Sequence, residues 1–208
     1  MQPLTSNTWR LSASVGANAY LVRIAGRLLL VDPGLELGLH RVARDVRAAG
    51  FAPRSVTDIL LTHYDPDHAG AAYEWQRRTD ATVWLGGDDV DILQGRTKPP
   101  TALRRAMALP GLPKLPHNLR RLEEETEIAP GLTAVPTPGH TPGHFAFVTD
   151  EIAFIGDAAN TDSTGWLAPF PVALMSDLSA GLRSRDRLAG LDVAWFAPGH
   201  TPPRLRAA

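Results

Sequence analysis

The chain has 208 residues, of which 44% are hydrophobic and 21% are charged, and its formal net charge is −1. This composition indicates a globular protein, and a charge so close to zero argues against a nucleic-acid-binding surface. Because the chain contains no cysteine, disulfides, thiolate metal ligands and cysteine nucleophiles are excluded. With no recognisable signal peptide or membrane-spanning stretch, we predict a cytoplasmic protein that acts on a small molecule, without nucleic-acid or membrane partners. A monomer and a homodimer both stay open.

The first half of the chain alternates predicted strands and helices. Runs rich in β-branched, aromatic and other apolar residues predict strands at 19–24, 27–32, 59–62 and 82–85. Apolar residues at helical spacing predict helices at 37–49 and 69–78. Asp67 precedes the second of these helices and is expected to cap it.

Residues 88–116 interrupt this alternation. Five prolines divide the segment into short pieces, of which 101–108 has a helical pattern and carries the basic pair Arg104-Arg105. The segment is too short to form a core of its own. We therefore interpret residues 1–208 as one domain, with 88–116 as an excursion that shapes substrate specificity.

A second block of predicted strands follows this excursion. The strands are expected at 118–122, 132–135, 145–148, 153–155 and 194–196, and one helix is expected at 177–188. Strands and helices thus occur in two comparable blocks. This order predicts a layered α/β fold, in the broad sense that includes α+β.

Histidines and aspartates follow four of the apolar strands. One segment of six residues contains His63, Asp65, Asp67 and His68, and three further turns present His140, Asp157 and His200. Any one of these residues alone would be explained most simply as a turn residue or a helix cap. Four of the seven histidines at such positions are harder to explain in that way, since turns favour Gly, Pro, Asn, Asp and Ser. In α/β sheets, sites gather outside the carboxyl ends of strands, so the pattern predicts a metal site there.

This set of motifs resembles the metallo-β-lactamase superfamily, whose signature is His-x-His-x-Asp-His followed by separate His, Asp and His ligands. Asp32-Pro33-Gly34 is similar to the acidic turn found early in that family, and the string from Thr137 to His144, Thr-Pro-Gly-His-Thr-Pro-Gly-His, is characteristic of it. The resemblance covers nearly the whole chain in order. It implies a four-layer αββα sandwich with two divalent metal ions at one edge of the sheets.

The resemblance also implies a role for each residue. The first metal would be bound by His63, the residue at position 65 and His140. The second would be bound by Asp67, His68 and His200, with Asp157 bridging the two. A metal-bound hydroxide would then attack the substrate, and Asp67 would act as a catalytic residue by orienting or deprotonating that water.

Position 65 departs from the family pattern, which has His where this chain has Asp65. Three interpretations are open: Asp65 binds the metal, Asp65 only supports the ligands of a weak first site, or the first site is lost and one metal binds. We favour the interpretation that Asp65 binds the metal. Two divalent ions carry four positive charges, and three aspartates and one hydroxide carry four negative charges, so the cluster would be neutral. With His at position 65 it would carry one positive charge. An oxygen-rich, more anionic site suits harder ions, so zinc is expected first, with manganese and iron as alternatives.

Other residues near these motifs have two readings. His144 is an alternative ligand or, as we favour, a residue that supports the ligands four positions after His140. Tyr64, Trp166 and Phe170 are candidate substrate-binding residues, although packing explains each of them as simply.

The resemblance predicts a metal-dependent hydrolase of a small ester, lactone, thioester or amide. The first alternative is a non-haem iron oxidoreductase on the same fold, of the sulfur dioxygenase or diiron type, because some superfamily members carry a carboxylate at the position of Asp65. The second alternative is a metal-binding protein without catalytic activity. The substrate itself cannot be named from fold and motif, because function varies on a shared fold.

Overall fold

Two β-sheets lie face to face in the computed structural model, which describes residues 1–206. The first sheet has its strands in chain order: β1 (Gln2–Pro3), β2 (Thr8–Leu11), β3 (Ala19–Ile24), β4 (Arg27–Val31), β5 (Asp58–Leu60), β6 (Thr82–Gly86) and β7 (Leu119–Leu122). The strands β1 to β4 are antiparallel neighbours, whereas β4 to β7 run parallel.

The second sheet is built from the later strands. Its members are β8 (Thr126–Ala129), β9 (Leu132–Pro136), β10 (Phe145–Thr149), β11 (Ile152–Gly156), β14 (Trp195–Pro198) and β15 (Arg204–Leu205). Their order across the sheet is β15-β14-β11-β10-β9-β8, and β11 and β14 are parallel. Between them in the chain, β12 (Ala159–Thr161) and β13 (Leu167–Pro169) form a separate antiparallel pair.

Helices cover the outer faces of both sheets. The α-helices are α1 (Leu39–Ala48), α2 (Pro66–Ala69), α3 (Ala72–Thr79), α4 (Gly87–Leu93), α5 (Ala102–Met107) and α6 (Leu178–Ala189), and 3-10 turns occur at Glu36–Gly38, Pro53–Ser55 and Val172–Leu174. Among the described residues, no helix has the length and apolar character needed to cross a bilayer.

The alternation of side chains along the strands produces three apolar layers. In β4, Leu28 and Leu30 face α1 and α3, whereas Leu29 and Val31 face the second sheet. In β11, Phe154 faces the first sheet and Ile155 faces α6. Three cores between four layers make an αββα sandwich, which confirms the predicted fold class.

The region before β6 differs from its sequence prediction. The helical part of the predicted helix 69–78 is mainly α3, and the separate short helix α2 precedes it, so Asp67 lies inside α2 rather than capping a helix that starts at 69. Pro66 explains the early start, because its fixed φ and missing N–H suit the first position of a helix. The prediction that Asp67 is a cap was therefore wrong. The helix α4 and the strands β1, β2, β8, β12, β13 and β15 were not predicted from the sequence.

Candidate metal centre

The predicted ligands meet at one edge of the sandwich, where several strands end. His63 follows β5 by three residues, Asp157 follows β11 directly, and His200 lies two residues beyond β14. His140 follows β9 after the turn 137–139. Because neighbouring parallel strands end on the same side of a sheet, residues far apart in sequence reach a common point.

The first group of predicted ligands contains His63, His140 and Asp157, whose ligand atoms lie within 4.8 Å of one another. The Oδ2 atom of Asp157 is 3.9 Å from Nε2 of His63 and 3.4 Å from Nε2 of His140. The Oδ2 atom of Asp65 is 3.5 Å and 3.1 Å from the same two nitrogens. Ligand atoms about 2.0–2.1 Å from a tetrahedral ion stand roughly 3.3 Å apart, so these separations fit a shared ion.

The second group contains Asp67, His68 and His200. The Nε2 atom of His200 is 3.2 Å from Oδ2 of Asp67 and 3.4 Å from Nε2 of His68. Asp157 reaches this group too, since its Oδ1 is 3.3 Å from His68 Nε2 and its Oδ2 is 3.3 Å from His200 Nε2. One carboxylate thus touches both groups.

Two buried polar atoms without hydrogen-bond partners indicate that these groups are suited to bind a metal ion. The Nε2 atom of His63 and the Oδ1 atom of Asp157 are buried and have no hydrogen-bond partner among the described residues. Leaving such atoms unsatisfied costs about 1–3 kcal/mol each. Imidazole nitrogens and carboxylate oxygens that converge in this way match the donors that zinc, manganese and iron accept, so the residues fit a divalent metal.

The turns that carry the second group are held by residues outside it. The Nδ1 atom of His68 lies 2.9 Å from Oδ2 of Asp32, which also accepts a hydrogen bond from the Thr62 hydroxyl at 2.7 Å. The loop of His200 is held by Asn18, whose Nδ2 donates to the carbonyl oxygens of Pro198 and Thr201. The contact with Asp32 fixes which ring nitrogen of His68 faces the site. From the sequence, Asp32 was recognised only as part of the Asp32-Pro33-Gly34 turn, without a role in the site.

His144 lies beneath the first group. Its Nε2 accepts a hydrogen bond from the backbone N–H of Asp157 at 3.2 Å, and its Nδ1 lies 2.8 Å from Oγ1 of Thr137. Its ring stacks on that of His63 at 5.2 Å. Burial, together with the charge of His63, holds the pKa of His144 well below its usual range. Both nitrogens are therefore engaged, which leaves neither free to bind an ion.

Asp65 contacts His140 of the first group on one side and Arg104 on the other. The contact with Arg104 was not predicted from the sequence. The guanidinium of Arg104 donates from Nη1 to both carboxylate oxygens of Asp65, at 2.7 and 2.9 Å. Burial alone would raise the pKa of Asp65, but hydrogen bonds from His140 and His63 and the charge of Arg104 lower it well below its usual range. Asp65 is therefore a carboxylate with a buried cationic partner. The charge of Arg104 was not included when the charge of the cluster was counted from the sequence.

A second carboxylate missed by the sequence analysis connects the two ligand loops of the first group. Asp89, in α4, is fully buried and accepts hydrogen bonds from the backbone N–H groups of Tyr64 and Gly143 and from the Thr141 hydroxyl. Burial raises the pKa of Asp89 to about 6 despite these hydrogen bonds. Asp88 and Asp89 both follow Gly86-Gly87 in the sequence, and only the structure shows that Asp89 is the buried one.

The three candidate substrate-binding residues occupy different surroundings. The Phe170 ring packs against His140 at 4.7 Å and lies 6.0 Å from His200, so it forms a wall of the centre. Tyr64 is only 2% exposed and lies under the Arg104 guanidinium, 5.8 Å from it. Trp166 is 59% exposed, and within residues 1–206 its hydrogen bonds are to Asp162. Phe170 alone among them contacts the predicted ligands.

Comparison with known proteins agrees with this architecture. A family model described as the metallo-beta-lactamase superfamily matches residues 14–200. The probable metallo-hydrolase YqgX of Bacillus subtilis is 28% identical over 160 residues, with 73% of this chain and 72% of that protein covered. A hydroxyacylglutathione hydrolase of Xanthomonas oryzae pv. oryzae is 30% identical over 137 residues, which cover 66% of this chain but 44% of that enzyme.

A solved structure supports the same relationship over a larger share of the chain. The crystal structure of TTHA1623 in a di-iron-bound form is 30% identical, covers 91% of this chain and 89% of that one, and superposes with a TM-score of 0.69. Since the family model spans most of the sequence and this structure nearly all of it, the chain belongs to the metallo-β-lactamase superfamily and is one of its metallo-hydrolases.

Proposed function

We propose that the protein hydrolyses a small ester, lactone, thioester or amide at a centre of two divalent ions, zinc being expected first. The observation that carries the proposal is the position of Asp157, whose two carboxylate oxygens lie 3.3–3.9 Å from the Nε2 atoms of all four predicted histidine ligands. A carboxylate in that position can bridge two ions. In this proposal one ion is bound by His63, Asp65 and His140, and the other by Asp67, His68 and His200.

Two divalent ions, when bound, would lower the pKa of a water molecule towards neutrality and polarise the carbonyl group of the substrate. Asp67 and His200 lie on the accessible side of the centre, with side chains 35% and 36% exposed, whereas the first group is buried. Asp67 is therefore the carboxylate that solvent reaches, and we assign it the role of orienting the attacking water and accepting its proton at Oδ2.

Phe170 supplies the apolar surface that a substrate would contact. Its ring lies 4.7 Å from that of His140 and 6.0 Å from that of His200. An acyl chain or a lactone ring placed there would be oriented by apolar contact. Tyr64 is covered by Arg104, and no contact between Trp166 and the predicted ligands is described. We therefore propose Phe170, of the three candidates, as the residue that contacts the substrate.

Thioesters deserve the first test, because a hydroxyacylglutathione hydrolase is among the relatives of this chain. The test is hydrolysis by the metal-loaded protein of a panel of thioesters, lactones, esters, amides, β-lactams and phosphodiesters. We expect turnover of at least one acyl substrate, and we expect Asp157→Ala to abolish it together with metal binding. Asp162→Asn, at an exposed carboxylate, is the matched control and should retain both. Full metal occupancy without turnover on the panel would instead favour a metal-binding protein without catalytic activity.

A non-haem iron oxidoreductase is the second candidate. It is favoured by one observation: His63, His140 and Asp157 form a buried set of two histidines and one carboxylate, which is the ligand set of many non-haem iron oxygenases. A related structure is described in a di-iron-bound form. Iron in the purified protein together with oxygen consumption on persulfides would support this candidate, whereas hydrolysis in an anaerobic chamber would exclude oxygen as a reactant.

A further inference from the structure

Arg104 is an unusual residue to find buried beside a metal centre. It belongs to α5 within the excursion 88–116, and only 4% of it is exposed. A buried guanidinium is costly unless its charge is paired and its N–H groups are bonded. Its Nη1 donates to Asp65 and its Nη2 donates to the carbonyl oxygen of Leu174 at 3.0 Å, whereas its Nε has no hydrogen-bond partner among the described residues. Arg104 therefore joins three segments: the excursion, the metal loop and the turn after β13.

Arg104 lies in the first turn of α5, next to an arginine with different surroundings. Thr101 caps α5, its hydroxyl accepting a hydrogen bond from the backbone N–H of Arg104 at 3.1 Å. The next residue, Arg105, lies on the exposed face and contacts the carbonyl oxygens of Pro99 and Pro100. Two adjacent arginines thus have opposite surroundings, one buried against Asp65 and one in solvent.

The position of Arg104 changes the charge of the proposed centre. Counted without Arg104, the carboxylate of Asp65 makes the cluster one unit more negative than a neutral imidazole would. Arg104 adds one positive charge in direct contact with that carboxylate. The pair of Asp65 and Arg104 is then neutral, like the imidazole that the superfamily pattern has at position 65.

We propose that Arg104 is a positioning residue that neutralises Asp65, so that the two side chains together replace the missing histidine at position 65. Asp65 offers Oδ2 to the first group, 3.1 Å from His140 Nε2, while Arg104 holds the carboxylate and cancels its charge. The net charge of the site then equals that of the histidine pattern, so the site lacks the preference for harder ions that the uncompensated charge of Asp65 would bring. The inference rests on the proposed metal centre but not on the proposed hydrolysis.

The test separates charge from shape at position 104. Apo protein is titrated with Zn²⁺ and with Mn²⁺ in competition with a chromophoric chelator, and its melting temperature is measured without metal. Arg104→Gln removes the charge, and we expect the affinity of the first site to rise about tenfold, with Mn²⁺ gaining on Zn²⁺. Arg104→Lys keeps the charge but cannot contact Asp65 and the Leu174 carbonyl oxygen at the same time. It should therefore lower the melting temperature while keeping the wild-type ratio of the Zn²⁺ and Mn²⁺ affinities. Arg105→Gln is the matched control and should change neither quantity.

A second pair of variants tests the replacement directly. Asp65→His leaves Arg104 buried beside the ions without its carboxylate partner, so affinity for both ions should fall about tenfold or more. Adding Arg104→Gln to Asp65→His removes that charge and should recover the lost affinity. The proposal is overturned if Arg104→Gln and Arg104→Lys shift the ratio of affinities equally, or if the double variant binds no better than Asp65→His. Should Asp65→His not fold, the comparison at position 104 decides alone.

These outcomes are distinct from those that bear on the proposed function. A protein that binds both ions and shows the expected charge dependence, yet hydrolyses nothing on the substrate panel, contradicts the hydrolysis and leaves the role of Arg104 intact. Hydrolysis that continues unchanged while metal preference ignores the charge at position 104 supports the enzyme and overturns the role of Arg104.

Discussion

The Nδ1 atom of His68 lies 2.9 Å from Oδ2 of Asp32, across the end of two parallel strands. Asp32 has a positive φ of 45°, and its other oxygen accepts the backbone N–H of Thr62 at 2.8 Å. The carboxylate therefore fixes the strand end and the ring of His68 at once. Because Nδ1 of His68 is held, its Nε2 is the nitrogen that faces Asp157 and His200.

Asp32→Asn is expected to weaken metal binding about 10- to 100-fold, since an amide can no longer accept hydrogen bonds with both of its terminal atoms. Asparagine tolerates the left-handed backbone of this position, so the variant tests the carboxylate rather than the turn. Metal affinity by chelator competition is the measurement. Asp58→Asn is the control: Asp58 is buried and accepts a hydrogen bond from Trp84 Nε1, away from the centre. It should lower the melting temperature with metal affinity unchanged. Wild-type affinity in Asp32→Asn would contradict the assigned role.

Asp89→Asn is expected to destabilise the protein and loosen the two loops of the first group. At pH 8, above its pKa of about 6, Asp89 is ionised and accepts three hydrogen bonds. An amide nitrogen would face one of these donors, at a cost of about 1–3 kcal/mol. Each kcal/mol corresponds to roughly 2–4 °C for a chain of this size.

Thermal unfolding at pH 8, with and without Zn²⁺, measures this effect. Asp162→Asn is the control, because Asp162 also accepts backbone hydrogen bonds in a loop but is exposed. The role assigned to Asp89 is contradicted if Asp89→Asn, like the control, unfolds at the same temperature as the wild type.

Gly199→Ala is expected to abolish metal binding while the fold survives. A Cβ atom at this position would lie 2.3 Å from Oδ1 of Asp157 and 2.6 Å from Cε1 of His68, so both side chains would have to move. Metal content after dialysis against Zn²⁺ and far-UV circular dichroism are the measurements. At Gly190, beyond α6, a Cβ atom would meet its nearest neighbour at 3.4 Å, so Gly190→Ala serves as the control and should bind metal normally. Full occupancy in Gly199→Ala would show that the centre adapts to a methyl group.

Phe170→Ala is expected to raise KM for acyl substrates with an apolar chain, by about tenfold, with a smaller change in kcat. The ring is buried against His140, and its loss removes apolar contact worth about 1–3 kcal/mol. Steady-state kinetics on a series of acyl chain lengths measures it. Phe170→Leu keeps most of the apolar surface and should remain near the wild type. An equal loss for short polar and long apolar substrates would mean that Phe170 supports His140 rather than contacting substrate.

The layered fold could be predicted from local patterns in the sequence, whereas the superfamily was predicted from the resemblance of its His and Asp motifs to the family signature. Periodicity of two in the strands and of 3.6 in the helices records which faces are buried, and each candidate ligand follows a strand by a few residues. The predicted strand 19–24 and the structure agree residue for residue. Short or partly exposed elements such as β8, β12 and β13 were missed, because their side chains carry little alternation.

Strand order in the two sheets brings together His63, His68, His140, Asp157 and His200, whereas the sequence predicted only that these residues follow strands. The surroundings of Asp65 are of another kind. Its partner Arg104 lies 39 residues away in a helix of six residues, and nothing local distinguishes Arg104 from the exposed Arg105 beside it. Only the packing of the excursion against the metal loop decides which of the two arginines is buried. Since a buried charge depends on every side chain around it, the electrostatic character of the centre was decided by the tertiary structure, whereas its set of candidate ligands was already determined by the sequence.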